Sequence, residues 1–231
     1  MLAWRAPKSG ILEVGFPGNG TILHGAMMLA RPEIVVELLT SGACAYDEDS
    51  MGNDGLMLAC SLGRLNNTKM WLDKHTDWNI DRCNRKFGST ALHYAVYLGH
   101  KNIDMVRYLI EERGADVNIL NHSGSCALIM ACGNEDSDPK VVKYLMRCTD
   151  IDVNIQIVSQ TLKYTISRAI TRFAVRSNMN MSTLMRRVAE SGGLTALHYA
   201  ARRGDMEIVE LLLEHGAKPS IKNDLGRDVL S

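Results

Sequence analysis

Apolar residues along this 231-residue chain recur with the spacing of short amphipathic helices arranged in pairs. Leu92, Ala95 and Val96 stand at i, i+3 and i+4, and Val106, Leu109 and Ile110 repeat that spacing one helix later, so each predicted helix carries one apolar stripe. Neither stripe can be buried alone. Stacking successive pairs buries both, and Ala26, Ala59, Ala95, Ala131 and Ala200 recur at one position, where close helix approach leaves no room for a larger side chain. Second-helix patterns at 33–43 and 207–217 are stopped by glycine, and Gly42, Gly114 and Gly216 are the expected left-handed helix ends. Asp116-Val117-Asn118 and Asp152-Val153-Asn154 then begin the next turn.

The stretch 88–95, Gly-Ser-Thr-Ala-Leu-His-Tyr-Ala, is nearly restated at 193–200 as Gly-Leu-Thr-Ala-Leu-His-Tyr-Ala. Equivalent starts fall at Thr21, Asp54, Thr90, Cys126 and Thr195, in steps of 33, 36, 36 and 69 residues. In this the chain resembles the ankyrin-repeat family, whose repeat of 33 residues has a T-P-L-H-like opening. The resemblance covers all but about the first seventeen residues. It implies an all-α solenoid of stacked helix-turn-helix units with β-turn fingers. An extended lead-in over 1–17 is expected, then one array over 18–231 with repeats opening near 19, 52, 88, 124 and 193 and a partial repeat from 226. The family uses the histidine of its opening to bond between neighbouring turns, which implies a structural role for His24, His93 and His198.

The region between Asn154 and Thr195 departs from the pattern. Residues 183–192 align with 207–216, which puts Leu184, Met185 and Val188 on core positions, while Leu162, Ile166, Ala169, Ile170 and Phe173 trace one helix face. The segment 157–192 therefore reads as a degenerate repeat or as an inserted helical segment. Only Gly193 and Leu194 separate Gly192 from Thr195, which predicts a gap in the row of fingers. Lys163, Arg168, Arg172, Arg176, Arg186 and Arg187 stand there against Glu190 alone, as a basic docking surface or, more commonly for such runs, a solvated face.

Composition adds mainly exclusions. Lysine plus arginine and aspartate plus glutamate number 26 each, so no overall charge favours nucleic acid or an anionic membrane. There is no run of eighteen apolar residues and no secretory leader at the start, so a monomeric cytoplasmic protein is expected, with the nucleus as the other location. The six cysteines form no C-x-x-C pair and read as buried, reduced thiols. Asp47-Glu48-Asp49 fails as a calcium loop because Met51 and Leu58 fill ligand positions. The glycine-rich 15–20 stretch lacks the Lys-Ser/Thr of a phosphate loop. No catalytic residue, metal, cofactor or small-molecule substrate is expected.

What remains is binding by a non-enzymatic interaction scaffold on its finger and first-helix surface. Counting from each start, the variable positions include Ser50, Met51, Asn53, Ser61 and Leu62 in the second unit, and Lys86, Phe87, Ser89, Tyr97 and Leu98 in the third. Aromatic and arginine side chains make the strongest anchors. The candidate protein-binding set is Met51, Lys86, Phe87, Ser89, Tyr97, His122, Asn134, Arg202 and Arg203. The alternatives are a regulatory ankyrin domain within a larger enzyme or channel polypeptide, which the abrupt stop after 226–231 favours, and anionic ligand binding through 157–192.

Overall fold

A computed structural model describes residues 20–98, 103–134, 138–158, 165, 166, 169 and 191–230, and everything below concerns those residues. They fold into two compact units divided between Ala115 and Asp116. In the first unit, α1 (Ile22–Leu29) pairs with α2 (Pro32–Thr40), α3 (Gly55–Ser61) with α4 (Leu65–Lys74), and α5 (Ala91–Leu98) with α6 (Ile103–Arg107), which runs on as a π-helical turn over Tyr108–Glu112. First helix packs on first helix, α1 on α3 and α3 on α5. In the second unit α7 (Ala127–Gly133) pairs with α8 (Pro139–Leu145) and α9 (Ala196–Arg203) with α10 (Met206–Glu214), and α9 lies directly on α7.

The helices begin where the pattern places them. Thr21, Asp54, Cys126 and Thr195 are N-caps in extended conformation, and Thr90 immediately precedes α5. His24 Nδ1 accepts the Thr21 backbone N–H at 2.9 Å, which leaves the ring proton on Nε2, 3.2 Å from the Asp47 carbonyl of the next turn. Thr90 with His93 and Thr195 with His198 repeat the local half of this device. Where Met57 replaces the histidine, the Asp54 carboxylate itself caps the helix by accepting the Met57 N–H at 2.9 Å. Burial raises that carboxyl above its ordinary pKa, and Arg82 lies 3.6 Å from its second oxygen. Pro32 and Pro139 open second helices, where a missing N–H costs nothing. Gly42, Gly114 and Gly216 have φ of 97°, 70° and 86°, the left-handed ends expected.

The recurring alanines Ala26, Ala59, Ala95, Ala131 and Ala200 are all buried, as are Leu92, Val96, Val106 and Leu109. Cys60, Cys126 and Cys132 join this core, and burial pushes the thiols of Cys60 and Cys132 up to about 12. Burial of all six cysteines does not hold, because Cys44 and Cys83 are exposed and Cys148 is half-buried; all six are free thiols.

The fingers share one stitch. In each, the backbone N–H of one residue reaches across the turn to a carbonyl four or five residues on: Asp49 to Asn53, Asn84 to Ser89, Asn121 to Ser125 and Asn223 to Arg227. The same Asp or Asn side chain accepts backbone N–H groups inside the turn, as Asp49 does from Met51 at 2.8 Å and Asn53 at 2.9 Å. Ile157 makes the equivalent backbone bond to Leu194 at 2.9 Å, and Gly193 closes back on Ile157 at 2.9 Å. The finger before the last helix pair is therefore present, and the expected gap is corrected.

The second unit also places the two ends of the interruption in the 69-residue step. Val158 and Gly192 take the two tip positions that Ser50 and Met51 take in the second repeat, since Gly192 O accepts from Asp224 as Met51 O accepts from Lys86. Residues 159–191 are thus inserted into a fingertip. Among the described residues, α9 packs on α7 and α10 on α8. The core roles expected for Leu184, Met185 and Val188, and the face through Leu162, Ile170 and Phe173, fall outside the described residues, while Ile166 and Ala169 are exposed.

Candidate interaction surface

The first unit brings part of the expected set together. Fingers 49–53 and 84–89 lie side by side, with Lys86 N–H donating to Met51 O at 3.0 Å and the Asn84 amide donating to the same carbonyl at 3.2 Å. A methyl group added at Gly52, which has φ of 80°, would meet the Arg85 backbone N at 2.6 Å, so this contact requires glycine. Behind the fingers, Tyr94 on α5 donates its hydroxyl to Asn53 Oδ1 at 2.7 Å, which ties helix to finger. Burial pushes the Tyr94 phenol up to about 12, so it stays a donor.

On this frame Lys86 is exposed, with Nζ 5.3 Å from the ring centre of half-buried Phe87. Tyr97, one helical turn beyond Tyr94, exposes 49% of its surface. Met51 is half-buried. Ser89 is not available as expected: it is 7% exposed, and its N–H and carbonyl both bond to Asn84. Asn53, Ser61 and Ser125 are buried for a related reason, since the last finger residue and the inward side of the first helix face the stack.

In the second unit His122 and Asn134 are half-buried, and exposed Arg202 lies 4.9 Å over the Tyr199 ring. Arg203 has another task. Its guanidinium donates to the carbonyls of Cys132 at 3.2 Å and Asn134 at 2.9 Å, closing the C-terminal end of α7. Arg64 does the same for α1 through Met28 and Leu29, at 2.7 and 2.8 Å. The basic residues Lys163, Arg168, Arg172, Arg176, Arg186 and Arg187 lie outside the described residues.

One exposed cation, Arg85, escaped the sequence count. Counting two tip residues back from Thr90 reaches Lys86 and Phe87, but this turn closes from Gly88 to Asn84 and holds one residue more than the 49–52 turn. The asparagine stitch was the signal that could have located it.

A family model described as "Ankyrin repeats (3 copies)" matches residues 56–157, and one described as "Ankyrin repeat" matches 192–224. The chain belongs to the ankyrin-repeat family. The two matches leave out 158–191, the interval in which the ankyrin finger is interrupted. Among curated relatives, the B-cell lymphoma 3 protein homolog of Mus musculus is 29% identical over 220 residues, covering 94% of this chain and 40% of the relative. The transient receptor potential cation channel subfamily A member 1 of Homo sapiens is 25% identical over 205 residues, covering 85% of this chain and 18% of the channel. The crystal structure of the ankyrin repeat domain of Bcl-3, titled a unique member of the IkappaB protein family, superposes with a TM-score of 0.65 at 27% identity, over 91% of this chain and 76% of that one. The chain thus spans two-fifths or less of these two curated relatives.

No group of three or more His, Cys, Asp or Glu residues among the described ones is placed to hold a metal ion, and no described helix is long and apolar enough to cross a membrane.

Proposed function

We propose that this chain is a non-enzymatic ankyrin interaction module that binds a protein or peptide partner on its finger and first-helix face, with Phe87 and Tyr97 as anchors and Met51 and Lys86 beside them. The observation that carries the reading is Tyr97: a large aromatic side chain, half exposed, on a helix whose Leu92, Ala95 and Val96 are buried and whose Tyr94 is bonded to the neighbouring finger. A rigid aromatic on a preorganised surface binds with little loss of side-chain freedom. His122, Asn134 and Arg202 extend the proposal to the second unit. Capture of partners with wild type beside Phe87→Ala/Tyr97→Ala tests it. The double variant loses a partner that wild type retains; equal recovery overturns the proposed surface.

A second reading is a regulatory ankyrin domain within a larger polypeptide. Its support is the match to a cation channel of which this chain covers only 18%. On that reading the double variant changes the activity of the full polypeptide without changing its abundance.

A further inference from the structure

Charge is sorted between the two helix layers of the first unit. The first helices α1, α3 and α5 contain no aspartate or glutamate. The second helices carry Glu33, Glu37, Asp73, Asp104, Glu111 and Glu112 against Lys69, Lys74 and Arg107. At the fingertips, Ser50 and Met51 bring no charge and Arg85 and Lys86 bring two positive ones, both exposed. Two carboxylates of the neighbouring finger are engaged: Glu48 pairs with Arg82, and buried Asp49 bonds inside its finger.

We infer that the finger and first-helix face of the first unit docks an acidic peptide segment with an apolar or aromatic centre, Arg85 and Lys86 meeting its carboxylates while Phe87, Tyr97 and Met51 take its apolar side chain. This rests on the binding face proposed above and names the chemistry of its occupant. Cations at an exposed edge steer and orient an anionic segment, and the aromatic residues behind them supply the desolvated contact. A nucleic acid fits less well. It needs a run of phosphate contacts, whereas this face offers two tip cations in a chain of zero net charge.

The test uses the full chain and fluorescence anisotropy. The probe is a short labelled peptide of Asp and Glu around a Leu-Phe-Leu centre; the comparisons are the same peptide with Lys for every acid, and a single-stranded oligonucleotide of equal length. The acidic probe binds, weakens as salt rises, and loses about tenfold or more in affinity with Arg85→Glu/Lys86→Glu and with Phe87→Ala/Tyr97→Ala, but not with Lys74→Glu on α4. Circular dichroism confirms that each variant is folded. No binding of the acidic probe, equal binding of the lysine probe, tighter binding of the oligonucleotide, or equal loss with Lys74→Glu overturns the inference. If a captured partner is lost with Phe87→Ala/Tyr97→Ala yet kept with Arg85→Glu/Lys86→Glu, the binding face stands and the acidic character of its occupant falls.

Discussion

Thr90, Leu92, His93 and Ala95 lie between Phe87 and Tyr97, yet the two groups answer to different physics. The first four are buried, and Thr90 and His93 bond to each other at the start of α5. Leu92 is 2% exposed, and Leu92→Ala is expected to cost roughly 2–5 kcal/mol in denaturant unfolding, since the emptied site sits between packed helices. An unchanged midpoint would contradict its placement. His198 gives a pH signature. Burial holds its imidazole below the ordinary histidine pKa, so the unfolded chain takes up the proton first as pH falls. Stability from this group is present above the unfolded value of about 6.5 and is lost as pH falls below it through the lower folded pKa. Wild type therefore loses more melting temperature than His198→Gln between roughly pH 7.5 and 5.5, and parallel curves would count against this. Thiol labelling separates the cysteines in the same way. Exposed Cys44 reacts in the native protein, whereas Cys60 and Cys132, with thiols pushed up to about 12, react only on unfolding.

At the scale of elements, the helix starts were legible because each needs a cap and a fixed apolar spacing, and the residues at Thr21, Asp54 and Thr195 state both, while Cys126 states only its place in the spacing. The fingers were harder. A turn stitched by its own backbone leaves only one Asp or Asn as a written sign, and Ile157 lacks even that; its neighbour Gln156 serves instead by donating to the carbonyls of Gly193 at 2.8 Å and Lys222 at 3.0 Å. An interrupted finger therefore looked like a missing one. Deleting residues 159–191 should leave Val158-Gly192 as an ordinary two-residue tip, with helicity and unfolding midpoint close to wild type. A collapsed or molten product would show that those residues belong to the stack. The deletion also removes all six basic residues of the segment, so retention on heparin at low salt that disappears with it would assign anion binding to the insertion.

For the whole molecule, what the sequence made readable was architecture, because burial repeats and repetition can be counted. Binding positions were readable only in part. Met51, Lys86, Phe87 and Tyr97 do meet the solvent side of the first unit, but Ser89 is consumed by its finger, Arg203 closes a helix end, and Arg85 was hidden by one extra residue in a turn. Each miss has the same origin: exposure depends on where a backbone turn closes, and the hydrophobic pattern does not record that. The separation of an acid-free first-helix layer from an acidic second-helix layer in the first unit needed both the sequence and the pairing of helices to be seen. Amide hydrogen exchange of the full chain, with and without a partner recovered by the wild type, tests the central claim most directly. The account predicts protection over 84–98 and the neighbouring 49–53 finger, with the second helices at 32–40, 65–74 and 103–112 unchanged; protection confined to those second helices would contradict it.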